Sequence, residues 1–238
     1  MNIVLSSLPE LSNWRTFWVN YLIYPLVDAL FMLLISHYYT GAYVEEVLMA
    51  NIVLTGAVTA CTGFCSSFIG DIYRRNDYEL VTNNPYNFYF WGTKWLVSVG
   101  MSYLLVAMNL LLCWAFGFIP HAGMGFLIAI PLLVYGSILG FTSAVIGWRM
   151  VNHYFVSNLV ASFTIFLGGA LLPFEQYPPI FKQLSYLLPF ARTNQWLYGK
   201  ANGMWQDMVI ALIWLAVGMI AFQYQLPRIA KRTKQGIL

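Results

Sequence analysis

What most constrains this chain is the length of its apolar runs. A helix needs about 20 predominantly apolar residues to cross the ~30 Å hydrocarbon core of a bilayer. Six stretches meet that requirement, roughly Phe17–Tyr38, Val47–Ile69, Trp95–Phe118, Gly123–Ile146, Val156–Leu172 and Met208–Leu226. No polar block between them is long enough to make a soluble domain. Lipid offers backbone groups no hydrogen-bond partner, and a helix satisfies its own groups within one segment. The expected fold is therefore an all-α membrane protein with six transmembrane helices, 1–238 forming one transmembrane domain. Composition agrees. Charged residues make up 9% of the chain and hydrophobic ones 60%, whereas soluble domains carry roughly 25% charged residues. Pro25, Pro131, Gly136 and Gly140 fall inside the expected spans. Neighbouring helices can re-satisfy the backbone groups such residues free.

Lys and Arg near span ends set the orientation. With the N-terminus inside, the cytoplasmic side holds Arg15, Arg74, Arg75, Lys94, Arg149, Arg228, Lys231, Arg232 and Lys234. The outer side holds Lys182, Arg192 and Lys200. This bias places both termini in the cytoplasm. The basic tail PRIAKRTKQ reads as an anchor to anionic headgroups. A net charge of +3 is too small to point to nucleic acid. The opening MNIVLSSLPELSNWR lacks the basic start and apolar run of a cleavable signal peptide. Within 5–18, Leu8, Leu11, Trp14, Phe17 and Trp18 recur at helical spacing. That pattern fits an amphipathic helix lying in the membrane interface; the other reading is a ragged start to the first span.

The most charged stretch is GDIYRRNDYELVTNNPYNFYFWGTK, with Asp71, Arg74, Arg75, Asp77, Glu79 and Lys94. The orientation puts it inside. A short helix is expected there until Asn83-Asn84-Pro85 ends it. A connector needs only a handful of residues, so a docking surface for a cytoplasmic partner over 71–94 fits better than a bare solvated link. Chemistry of the chain's own is not in view. There is no GxxxxGK[ST] phosphate cradle, no HExxH and no GxSxG. Cys61, Cys65 and Cys113 sit in apolar context and read as small core residues, and His37, His121 and His153 are scattered over different span ends. No metal site is expected. Asp28 is the one acid deep in an expected span. Such a carboxylate is costly in lipid and is a candidate for the translocation path; the alternative is an acceptor for bonds between helices.

The segment GGALLPFEQYPPIFKQLSYLLPFARTNQW is as apolar as the spans yet carries four prolines, Pro173, Pro178, Pro179 and Pro189. Ile180 to Leu188 has helical apolar spacing and is stopped by Pro189. A helix of that length cannot cross the bilayer. The expectation over 173–203 is a segment that enters from the outer side and returns to it. The alternative is a loop lying flat on the interface.

These features together resemble type-2 ABC exporter permeases. Leu172, Pro173, Glu175, Pro178, Leu184, Leu187, Pro189 and Phe190 follow that family's pattern before the last span, and Gly70, Arg75, Glu79 and Pro85 follow its internal loop. Arg74 stands where the family usually has an acid, and Asn84 replaces a Thr-like residue. The resemblance implies a permease subunit without an ATPase site of its own. It would work as a dimer with a second copy or a homologous permease. A separate ABC ATPase subunit, binding ATP and Mg, would dock on Asp71, Arg74, Arg75, Asp77, Glu79 and Pro85. The outer segment, with Pro173, Phe174, Glu175, Tyr177, Pro178, Phe181 and Pro189, would act as a gate, with Phe174, Tyr177 and Phe181 as candidates for its apolar constriction, and the chain would sit in the plasma membrane of a bacterium or archaeon. The substrate is open among hydrophobic drugs, lipids, peptides and glycans. The competing expectation is an ion- or proton-coupled carrier using Asp28. An intramembrane enzyme lacks any nucleophile–base pair.

Overall fold

A computed structural model describes residues 13–40, 45–73, 84–169, 177–199 and 203–234. Among the described residues there are helices and turns and no strand. Among these described residues, five helices are long and apolar enough to cross a membrane, Trp14–Ile35, Glu45–Tyr73, Phe88–Ala115, Ala122–Gly147 and Met204–Ile229. The chain is thus built as a multi-pass membrane protein.

The first span begins where Asn13 caps it, its Oδ1 accepting from the Arg15 N–H at 3.1 Å. It runs as α1 (Trp14–Trp18), a π-helical turn (Val19–Ile23) and α2 (Tyr24–Thr40). The π turn has a cause in the sequence. Pro25 has no N–H, so the carbonyl of Tyr21 loses its partner four residues on. Asn109 supplies one from 88 residues away, its Nδ2 donating to Tyr21 O at 2.8 Å. Both residues are buried. Of the expected interfacial helix, residues 5–12 lie outside the described residues. Trp14–Trp18 continue into the first span without a break.

The other long helices are α3 (Glu45–Tyr73), α4 (Phe88–Ala115) and α5 (Ala122–Gly147). α3 buries residues on every side, which makes it the central helix. It packs most closely on α5, and small residues make that possible. A Cβ on Gly136 would lie 2.2 Å from Ala57 O, and one on Gly140 2.4 Å from Cys61 O. Hydroxyls bind the helices across their contacts. Ser98 Oγ donates to Ala60 O at 2.6 Å, and Thr142 Oγ1 donates to Trp214 O at 2.9 Å.

The remaining elements are α6 (Phe155–Leu167), α7 (Pro179–Ser185), α8 (Ala191–Asn194), a 3₁₀ turn (Gln195–Tyr198) and α9 (Met204–Lys234). The expected span Val156–Leu172 corresponds to α6, whose 13 residues reach only ~20 Å. That is short of the hydrocarbon thickness. The expected loop 71–94 also shrinks. α3 continues to Tyr73, and α4 starts at Phe88 because Asn87 Oδ1 caps it, accepting from Tyr89 N at 2.9 Å and Phe90 N at 3.3 Å.

The starts of α3 and α5 share one end of the bundle, where Glu45 Oε1 accepts from the His121 N–H at 2.9 Å. The end of α3, the start of α4 and the ends of α5 and α9 meet at the other. There Phe68 packs on Trp91 and Trp148, and Trp148 stacks on Phe222.

Candidate functional site

Two places concentrate polar groups inside an apolar bundle. The first lies between the end of α6 and the start of α9. α6 stops well inside the protein. A Cβ on Gly168 would lie 2.9 Å from the Leu54 side chain, and Leu54 is nine residues into α3, ~13 Å along its axis. A helix ending at that depth leaves carbonyls without intrahelical partners. The segment that follows supplies side chains for them. Tyr177 OH donates to Phe166 O at 2.8 Å and accepts from Gly169 N at 3.1 Å. Asn194 Nδ2 donates to Gly168 O at 3.0 Å, and Tyr198 OH to Gly169 O at 3.3 Å. Gly169 holds a φ of +86°, which a side chain would strain. Burial pushes both phenols up: Tyr177 by burial alone against the Gly169 bond, Tyr198 by burial and then by the nearby Tyr177 and Glu46. Both therefore stay protonated donors at neutral pH.

The same segment is tied to α9. Asp207, fully buried in the first turn of α9, accepts from Thr193 N at 2.7 Å and Thr193 Oγ1 at 2.9 Å. Arg192 Nη1 approaches its other oxygen at 3.4 Å. A carboxylate at a helix N-terminus is favoured by the helix dipole. The Arg192 guanidinium stacks on Tyr186 at 4.1 Å. Trp214 Nε1 donates to Leu187 O at 2.9 Å. Four short pieces of chain are thereby fixed among helix ends by directed bonds.

Of the residues singled out in the sequence here, Tyr177 is buried, and Pro178 caps α7, with Pro179 in its first turn. Phe181 is half exposed on α7, and Pro189 is buried in the turn before α8. Pro173, Phe174 and Glu175 lie outside the described residues. α7 ends at Ser185, three residues before the expected Leu188. Tyr186, Leu187 and Leu188 instead bond three residues back, at 3.3, 3.0 and 3.2 Å. The residue before a proline disfavours the helical conformation, so the chain tightens and stops ahead of Pro189.

The second place is the end of α3. Asp71 was expected on a loop but lies on the last turns of α3, facing inward and paired with Lys94 of α4. Lys94 is 1% exposed, and its Nζ also donates to Ser67 O at 2.8 Å. Its ammonium lies 4.8 Å from the Phe90 ring centroid. Pro85 is half-buried, and its carbonyl accepts from Trp91 Nε1 at 2.9 Å. Arg74, Arg75, Asp77 and Glu79 lie outside the described residues.

No protein-family model, curated protein or solved structure matches this chain. Among the described residues, no three His, Cys, Asp or Glu side chains converge to hold a metal. Asp28 is half-buried on α2. Asp207 and Asp71 are more deeply buried. Asp207 was legible only as a residue just before a span. The signal that could have found it is Gly203 followed four residues later by Asp, a helix start with an acid in its first turn.

Proposed function

We propose that this chain is the membrane-spanning permease subunit of an ABC exporter. In this reading it pairs with a second copy or a homologous permease to enclose a path, and a separate ATPase supplies the energy. The observation that carries the reading is the segment 177–199. It is made of helices too short to cross, yet side-chain-to-backbone bonds tie it to the end of α6, about 13 Å along the central helix, and to α9. Backbone at such depth persists only where protein covers it. A structural cap would need nothing so elaborate as a short helix, a turn and two further helical pieces. An outer gate needs a rigid piece that moves as one, hinged on bonds that can be exchanged.

The Asp71–Lys94 pair supports the other half of the reading. It clamps the end of α3 to the start of α4, the two helices that flank residues 74–87. A push on that connection is passed to both helices together. Because Asp71 faces inward, contact with an ATPase falls to residues from Arg74 to Pro85. Nucleotide would act by binding one of two packed arrangements more tightly than the other.

The test is to purify the chain from its native membrane together with any ABC ATPase it retains, and to assay the two together and apart. The purified chain alone hydrolyses no ATP, and the pair does. Replacing 74–83 with a Gly/Ser linker abolishes association while the melting temperature of the permease is retained. Retained association would refute the docking site. Proton-driven flux by the lone chain in liposomes, lost in Asp28→Asn, would replace this reading with a coupled carrier.

A further inference from the structure

Between the first half of α4 and the middle of α9, at Leu215, Met219 and Phe222, lies a cavity of about 400 Å³, backed by α3 and α5. Its walls are Phe64, Trp91, Trp95, Phe141, Phe222 and Gly92, with Tyr86 and Phe88 at one end. The rings hold one another in place. Trp91 meets Phe141 and Phe222 edge-on at 5.4 and 5.3 Å, and Phe64 stacks on Trp91 at 6.4 Å. The Trp91 N–H is already donated to Pro85 O, so this ring offers an occupant only its apolar faces. Gly92 keeps the wall open. A Cβ there would meet only the Phe88 ring, at 3.8 Å.

An apolar lining offers water no hydrogen-bond partners, and an empty cavity forfeits dispersion contacts along its whole lining. Its lining helices α4 and α9 are both long enough to cross a membrane. The flank is apolar, with Leu96 and Ile220 exposed on either side. The apolar molecule most abundant beside such a flank is the acyl chain of a lipid. Tyr86 and Phe88 mark the end nearest the membrane surface, beside the exposed Asn84, where Tyr favours headgroup depth.

We propose that this cavity is a binding site for one acyl chain of a bilayer phospholipid, inserted between α4 and α9 with its headgroup at the Tyr86 end. The lipid wedges two helices that meet the rest of the bundle through α3 and α5. The site is independent of the exporter reading and stands or falls without it.

The test uses the full chain in nanodiscs of phosphatidylcholine carrying a diazirine on one acyl chain. After irradiation, adducts are mapped by peptide mass spectrometry. Peptides covering 86–95 and 215–222 are expected to carry several-fold more adducts than the exposed apolar faces of α2 and α6. Those faces, at Phe31, Leu34, Phe163 and Phe166, serve as ordinary lipid-facing controls. Gly92→Leu fills the cavity from its own wall and abolishes the excess, with the melting temperature kept or raised. Met219→Trp fills it from the opposite wall and serves if Gly92→Leu does not fold. Equal labelling of the cavity and control faces would overturn the proposal. So would an excess that survives both filled variants, or Gly92→Cys cross-links between two copies without lipid adducts.

Discussion

At the scale of single residues, the polar groups buried in this protein matter more than the exposed charges. Asp71 and Lys94 are each close to fully buried and satisfy one another. Removing one partner strands the other in an apolar site, which costs about 3–5 kcal/mol, whereas replacing both is far milder. Asp71→Asn or Lys94→Met is therefore expected to lower the melting temperature sharply. The double variant recovers most of the loss, as thermal unfolding in detergent would show. Tyr177→Phe removes the hydroxyl that serves Phe166 O and Gly169 N and costs ~1–3 kcal/mol. The raised Tyr177 pKa also gives a pH dependence with a definite sign. The folded state holds the phenolic proton more tightly than the unfolded one, whose value is near 10. The stability from this residue is present below that pH and is lost as pH rises through the folded value. Melting should be flat from neutral to mildly alkaline pH and then fall, and Tyr177→Phe should fall less. Little of this was legible in the sequence. Lys94 read as one more inside-facing charge on a loop, and its role depends on a helix start set by Asn87. The bond from Asn109 to Tyr21 joins residues 88 apart, and Pro25 announced only that some carbonyl would be freed.

At the scale of elements, apolar run length located the long helices well because lipid and a packed core demand the same thing of a helix. It located their ends poorly because caps, and not hydropathy, decide them. Asn87 starts α4 well before the apolar run, and Gly168 ends α6 before that run is over. The closest packing was legible only as tolerated glycines. Gly136 and Gly140 in fact let α5 touch the carbonyls of α3. Gly136→Ala or Gly140→Ala forces these helices apart and should cost about 1–3 kcal/mol, as expected for overpacking. Gly100→Ala, where nothing lies within 4 Å, should be neutral or mildly stabilising, since alanine is the better helix former. Denaturation of the three variants side by side checks the contrast. The π turn offers a second test. Asn109→Leu should destabilise the native chain but have less effect in Pro25→Ala, where Tyr21 O regains a backbone partner; a double-mutant cycle measures the difference.

At the scale of the whole molecule, the account rests on the two ends of the bundle facing opposite sides of the membrane. The connection 74–87 leaves from one end, while segment 177–199 is anchored toward the end where α3 and α5 begin. Lys and Arg distribution set the expectation for which end faces the cytoplasm, and the helix ends set the two segments apart. The proline pattern showed that something interrupted the bundle before the last helix. It could not show the four side chains that bind the interruption in place, because Tyr177, Asn194, Tyr198 and Asp207 are far apart in sequence from most of what they touch. The most direct test is labelling of single cysteines by a membrane-impermeant maleimide in intact cells, in a background lacking Cys61, Cys65 and Cys113. Gln183 and Asn84 are exposed at the two ends. Gln183→Cys is expected to react from outside, and Asn84→Cys only after the membrane is permeabilised. Reaction of both from the same side, or of Gln183→Cys only from within, would contradict the account.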